Sequence, residues 1–141
     1  VISTSKPGSS MLSQFDDINK TNLNKFKNET KKLKEKESKL ILQKNILSET
    51  DFQNNIKKLK LEIDNYNVSR DKINNNFNKL RIDSTNELLK LINPILINYS
   101  NDKLISIIFK KKDLVIGMTE LDITDEIIKI MNKDIKEFKI Q

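Results

Sequence analysis

Glycine and proline are almost missing from this chain. Its 141 residues hold two of each, at Pro7, Gly8, Pro94 and Gly117. Residues 9–93 contain neither, where average usage would place about ten. Turns draw on these two residues for their special backbone angles, so a turn-rich sandwich or barrel is excluded. A stretch of this kind has long helices open to it.

Other absences remove most catalytic chemistry. The chain has no Cys, no His and no Trp. Zinc sites built on Cys or His, cysteine nucleophiles and Ser-His-Asp triads are therefore ruled out. With glycines only at Gly8 and Gly117, no phosphate-cradling loop can be written. The expectation is a protein that is not an enzyme and that uses no metal, cofactor or nucleotide. The lack of Cys means only that no disulfide is needed, and it does not choose a compartment. The length suits one domain, and 36% apolar against 33% charged residues is thin material for a compact globule. No apolar run approaches the length of a membrane span. The chain opens at Val1 rather than Met and shows no signal peptide, as a processed chain would.

Charge is concentrated. The formal net charge is +6, and residues 20–60 hold 12 Lys against 5 acids. Lys25, Lys27, Lys31, Lys32, Lys34, Lys36, Lys39, Lys44, Lys57, Lys58 and Lys60 form the candidate binding surface, diffuse rather than focused. Solvated helix faces are commonly charged, and that is the bland reading. A merely solubilising face would mix signs, because like charges at i,i+4 repel. A basic wall attracts acidic partners at long range, and salt weakens it.

Apolar spacing locates the helices. Phe52, Ile56, Leu59, Ile63, Tyr66, Arg70, Ile73, Phe77, Leu80, Ser84, Glu87 and Leu91 follow alternating steps of four and three, the seam of a coiled-coil helix. One helix is expected from about Asp51 to Ile92. Asn93-Pro94 then marks a kink or an end. Upstream, Leu12, Asn19, Phe26, Leu33, Leu40 and Leu47 recur every seven residues, giving a thin apolar stripe. Between the two helices, Thr50 with Gln53 fits a capping box, and Ser48 with Asp51 is an overlapping alternative. The expectation is an antiparallel hairpin arm over 9–93, with its tip near 46–52 and a length of roughly 60 Å at 1.5 Å per residue. Ile46, Leu47 and Phe52 are expected to close the tip. Residues 1–8 and 94–141 are assigned to a body.

In that body, Leu104–Phe109 (LISIIF) and Leu114–Gly117 (LVIG) flank a polar turn at 110–113 and read as a short β-hairpin. A last helix starts with Thr124 as N-cap and Asp125 and Glu126 in its first turn. Its buried face would be Ile127, Ile128, Met131 and Ile135. Two strands alone are marginal in water, so this piece needs a further strand or another chain. Leu104, Ile107, Phe109, Leu114 and Ile116 are the candidate oligomer interface, with ordinary core as the alternative. The fold class is mainly α with a small β body.

The order helix, tip, returning helix, β-hairpin, short helix resembles the Skp (OmpH-like) family of periplasmic chaperones. The tail ISIIFKKKDLVIGMTELDITDEIIKIMNK is similar to the family's closing strands and helix. STSKPGSS resembles the Lys-x-Gly segment before its first arm helix. ILSETDFQNNIKKLKLEIDNYNVSRD resembles its arm tip and returning helix. The resemblance implies a jellyfish-shaped homotrimer whose arms enclose a cavity. It implies an ATP-independent holdase for unfolded outer-membrane proteins in the periplasm. It also implies a body strand ahead of Val1. Separately from the resemblance, a weak contact of the basic arm with membrane lipid headgroups is a further expectation. Two other classes compete. One is a basic coiled-coil arm for nucleic acid, but Arg70 and Arg81 are the chain's only arginines and both lie outside the basic stretch. The other is a prefoldin-like cytosolic holdase, in which the strands lie between the helices instead of after them.

Overall fold

The computed structural model describes residues 1–140. Its α-helices are α1 (Lys6–Leu42), α2 (Glu49–Asp102) and α3 (Thr124–Asp134). Single 3₁₀ turns at Lys111–Asp113 and Thr119–Leu121 lie between α2 and α3. The chain divides into two units, and α1 and α2 contribute to both. One unit is Asp17–Lys79, and the other joins Val1–Asp16 to the residues from Leu80 onward.

The unit of residues 17–79 is the antiparallel hairpin that the heptad spacing predicts. α1 stops at Leu42, and α2 starts at Glu49, so the turn is residues 43–48. Ser48 caps α2, its Oγ accepting the Asp51 N–H at 3.1 Å and donating to Asp51 Oδ2 at 2.6 Å. The Ser48–Asp51 alternative is therefore the one formed, and Gln53 instead donates to Glu49 at 2.9 Å. Phe52 is buried and Leu47 half-buried at the tip, but Ile46 is 81% exposed and does not help to close it. Phe26, Leu33, Tyr66 and Ile73 line a groove of about 400 Å³ between the helices. Polar contacts fix the register that so thin a stripe leaves loose. The Tyr66 hydroxyl meets the Thr30 hydroxyl at 3.0 Å and donates to the Phe26 carbonyl at 3.2 Å. Lys36 pairs with Glu62 across the two helices.

The second unit holds the chain's main core. Met11 and Phe15 of α1, Leu88, Ile92, Ile95 and Tyr99 of α2, Ile127 and Met131 of α3, and Phe138 beyond α3 are all buried. Ile128 and Ile135 are half-buried, so α3 turns the expected face inward. The seam of α2 departs from its heptads here. After Ser84 the buried positions are Leu88 and Ile92, not Glu87 and Leu91. Successive steps of four are a stutter, which brings the repeat closer to the natural period of a straight helix. α1 shifts in the same way, burying Met11 where Leu12 was expected.

Both prolines prove compatible with helix. Pro7 and Gly8 do not precede the first helix but lie in its first turn, where a proline's missing N–H has no intrahelical partner to lose. Ser5 is the cap, its Oγ accepting the Gly8 N–H at 3.2 Å. α2 runs through Pro94 to Asp102. An interior proline costs about 3 kcal/mol. Ile92, Ile95 and Tyr99, buried on either side of it, each return about 1.5–3 kcal/mol. Burial outweighs the break, so the helix continues.

The expected β-hairpin is not formed. Among the described residues there is no strand, and residues 105–117 have no regular structure apart from the 3₁₀ turn at 111–113. A two-stranded ribbon without a third element beside it is marginal, and the described residues form no strand that could supply one. α2 ends in a Schellman motif, with the Leu104 N–H on the Asn101 carbonyl at 3.3 Å and the Ile105 N–H on the Ser100 carbonyl at 2.8 Å. Leu104 occupies the left-handed position of that motif with φ 55°. At α3, Thr124 is the first helical residue rather than the cap, and Asp122 Oδ1 takes its N–H at 3.1 Å.

Candidate binding surfaces

The basic surface belongs to the unit of residues 17–79, which carries 15 Lys and Arg against 9 acids. The remaining residues balance at 11 and 11, so this unit holds the chain's entire +6. Helical spacing arranges the α1 lysines around the seam. Lys25 and Lys27 flank Phe26, Lys32 and Lys34 flank Leu33, and Lys39 and Ile41 flank Leu40. Seam residues at seven-residue intervals return to the same face, so their neighbours form a basic line on either side of it. All eleven candidate lysines are exposed.

Neutralisation within this surface is partial. Lys32 pairs with Glu29 at 2.8 Å, Lys31 lies 4.0 Å from Glu35, and Lys36 pairs with Glu62. The hydrogen bond from Lys32 lowers the Glu29 carboxyl below its ordinary range and raises the Lys32 ammonium. Lys25, Lys27, Lys34, Lys39, Lys44, Lys57, Lys58 and Lys60 have no ion pair within 4.0 Å among the described residues. The sequence places these lysines, and it places Ile46 at the tip as a closing residue, but it does not single out Ile41 or Leu42. Ile41, Leu42 and Ile46 are all well over half exposed beside Lys39 and Lys44.

The second surface is apolar. Leu104 and Ile116 are 91% exposed, and Ile107, Phe109 and Leu114 are also exposed. None of the five is covered within this chain. Val115, Met118 and Leu121 extend the same exposed stretch and were not singled out from the sequence. Single exposed apolar residues are normal, but a run of this density is not. Lys111 tethers the stretch to the start of α3 by donating to Asp122 at 2.6 Å. That bond, with the Thr124 N–H, holds the Asp122 carboxyl far below the usual carboxylate range.

No group of three or more metal-ligating side chains occurs among the described residues, and no described helix is long and apolar enough to cross a membrane. A helical hairpin with a net positive surface, on a chain that also exposes a dense apolar run, has the chemistry of a binding protein. The chain belongs to the OmpH-like family: it matches the family described as Outer membrane protein (OmpH-like) over residues 1–131. Members of that family are periplasmic chaperones of outer-membrane proteins and not enzymes. No curated protein and no solved structure matches the chain.

Proposed function

We propose that this chain is an ATP-independent periplasmic holdase that binds unfolded outer-membrane proteins and prevents their aggregation. The observation that carries this reading is the confinement of the whole net charge to the hairpin unit, on lysines that are exposed and mostly unpaired. Such a surface draws an acidic disordered chain toward it and holds it by many weak contacts, each reversible. No single lysine is indispensable in this arrangement.

The exposed run from Leu104 to Leu121 supports assembly of copies, a homotrimer in the family pattern, with Leu104, Ile107, Phe109, Leu114 and Ile116 at the interface. Neighbouring copies would cover the apolar side chains that one chain leaves in water. The exposed apolar residues of the tip beside Lys39 and Lys44 suit a weak contact with anionic lipid headgroups.

The test is light scattering by an acidic outer-membrane β-barrel protein diluted from denaturant, with and without this chain. Suppression of aggregation at low salt, weakening as salt approaches about 0.5 M, is expected because the screening length falls to a few Å. Suppression that is absent, or indifferent to salt, overturns the electrostatic reading.

A further inference from the structure

The match to the family ends at residue 131, inside α3, and Ile135–Ile140 lie beyond it. This segment is extended from its first residue, Ile135 having φ −111° and ψ 91°. It is held against the first turns of α1 by Gln14. Gln14 Nε2 donates to the Phe138 carbonyl at 2.7 Å, and Gln14 Oε1 accepts the Ile140 N–H at 3.1 Å. Ser10 Oγ donates to the same Phe138 carbonyl at 3.3 Å.

A carbonyl and the N–H two residues on are what one edge of a strand offers to a neighbouring strand. The Gln14 carboxamide has one acceptor and two donor hydrogens, so it replaces the backbone of that neighbour. All three bonds go to the segment's backbone. Of its side chains only the Phe138 ring is buried; Ile135 and Ile140 are half-buried, and Lys136, Glu137 and Lys139 are exposed. The base of α1 therefore reads an extended backbone and one aromatic ring, and makes little demand on the exposed positions 136, 137 and 139.

We propose that Ser10, Gln14 and the site of the Phe138 ring form a groove for an extended peptide with one aromatic residue. The chain's own segment 135–140 closes this groove, and a stretch of unfolded polypeptide takes its place. This rests on the reading of the chain as a binder of unfolded protein. It adds a second mode of recognition, neutral and directed at backbone, to the charged one of the hairpin. Exchange is feasible because the two opposing contributions are of similar size. One buried ring and three hydrogen bonds favour docking, and the conformational entropy of ordering six residues opposes it.

The test uses the full chain with Phe138→Ala, which releases the segment. The probe is a labelled peptide with the sequence of residues 133–141, followed by fluorescence anisotropy. A second peptide has its Phe replaced by Ala, and a third keeps the Phe in an unrelated extended sequence. Both Phe-containing peptides should bind the variant at least about tenfold more tightly than the unaltered chain, because the competing segment no longer occupies the groove. Adding Gln14→Ala should abolish the gain, and the Ala peptide should not bind. In the unaltered chain the same peptides should accelerate hydrogen exchange at the Ile140 amide, a readout that does not depend on any variant folding. No gain on Phe138→Ala, binding that survives Gln14→Ala, or binding by the chain's own sequence alone overturns the proposal. Suppression of aggregation, measured in parallel, separates the two ideas: if it persists while the peptides fail, the groove is wrong and the holdase stands.

Discussion

Leu104 gives the sharpest test, because replacing it should move two properties in opposite directions. It sits at φ 55° with its side chain 91% exposed. The left-handed conformation costs an L-residue roughly 1–2 kcal/mol, whereas glycine adopts it freely. Glycine loses roughly 0.5–1 kcal/mol more than other residues in backbone entropy on ordering. No core contact is forfeited at such exposure, so Leu104→Gly should stabilise the dilute chain by roughly 0.5–1 kcal/mol, or about 2–4 °C in Tm. If Leu104 is buried between copies, the same change removes about 1.5–3 kcal/mol per copy from the assembly. Association should then weaken by about tenfold or more. Circular-dichroism melts across a dilution series, with sedimentation equilibrium at the concentrated end, read both effects. A lower Tm in the dilute chain refutes the strained helix end. Unchanged association refutes a place for Leu104 in the interface.

Other expectations follow from single features. The triple change Lys27→Glu, Lys34→Glu and Lys39→Glu leaves the hairpin unit with 12 basic and 12 acidic residues, down from 15 against 9. It should slow capture of an acidic client by about tenfold or more at low salt and have little effect at high salt, as stopped-flow fluorescence would show. Gly8→Ala should destabilise the fold despite alanine's higher helix propensity. The new Cβ would lie 1.5 Å from the Ile2 carbonyl oxygen, so the turn at Val1–Ser5 must be expelled, and a rise in urea midpoint would disprove that packing. Asp122 is held ionised by Lys111 and Thr124, so its folded pKa lies below its unfolded one. Its contribution is present above the unfolded carboxylate range, near pH 4, and is lost as pH falls below it. In Asp122→Asn that part of the acid loss should vanish from a pH series of denaturation curves. Ile46→Asp at the tip should reduce co-sedimentation with anionic vesicles, and an unchanged bound fraction would remove the tip from any lipid contact.

The hairpin was legible in the sequence because its causes are local. Heptad spacing, the Ser48 cap and the lack of helix breakers all act within a few residues of one another. The basic surface was legible for the same reason, since an exposed lysine needs no partner to be placed. The second unit was harder to read. Around residues 87–92 (ELLKLI), apolar side chains occur on several faces of α2. Spacing therefore could not separate Leu88 and Ile92, which are buried, from Leu91, which is not. The residues of 104–117 favour strands, yet strand pairing depends on a neighbour that composition does not reveal. The clamp of Gln14 on Phe138 joins residues 124 apart and carries no sequence signal.

Between Gly8 and Pro94 the amino acids left the backbone little choice. With neither glycine nor proline to break it and a repeating apolar stripe to bury, the chain forms helices on both sides of the turn at 43–48, and its lysines remain in water because nothing in the stripe can cover them. Folding in three dimensions settled what depends on distant residues. Burial of Ile92, Ile95 and Tyr99 carried a helix through Pro94, the approach of Ile2 required a glycine inside α1, and the absence of a neighbouring strand left an apolar segment exposed. Helix bonds close within four residues, whereas core burial and strand pairing are satisfied only by parts of a chain, or by other chains, that the local sequence does not specify.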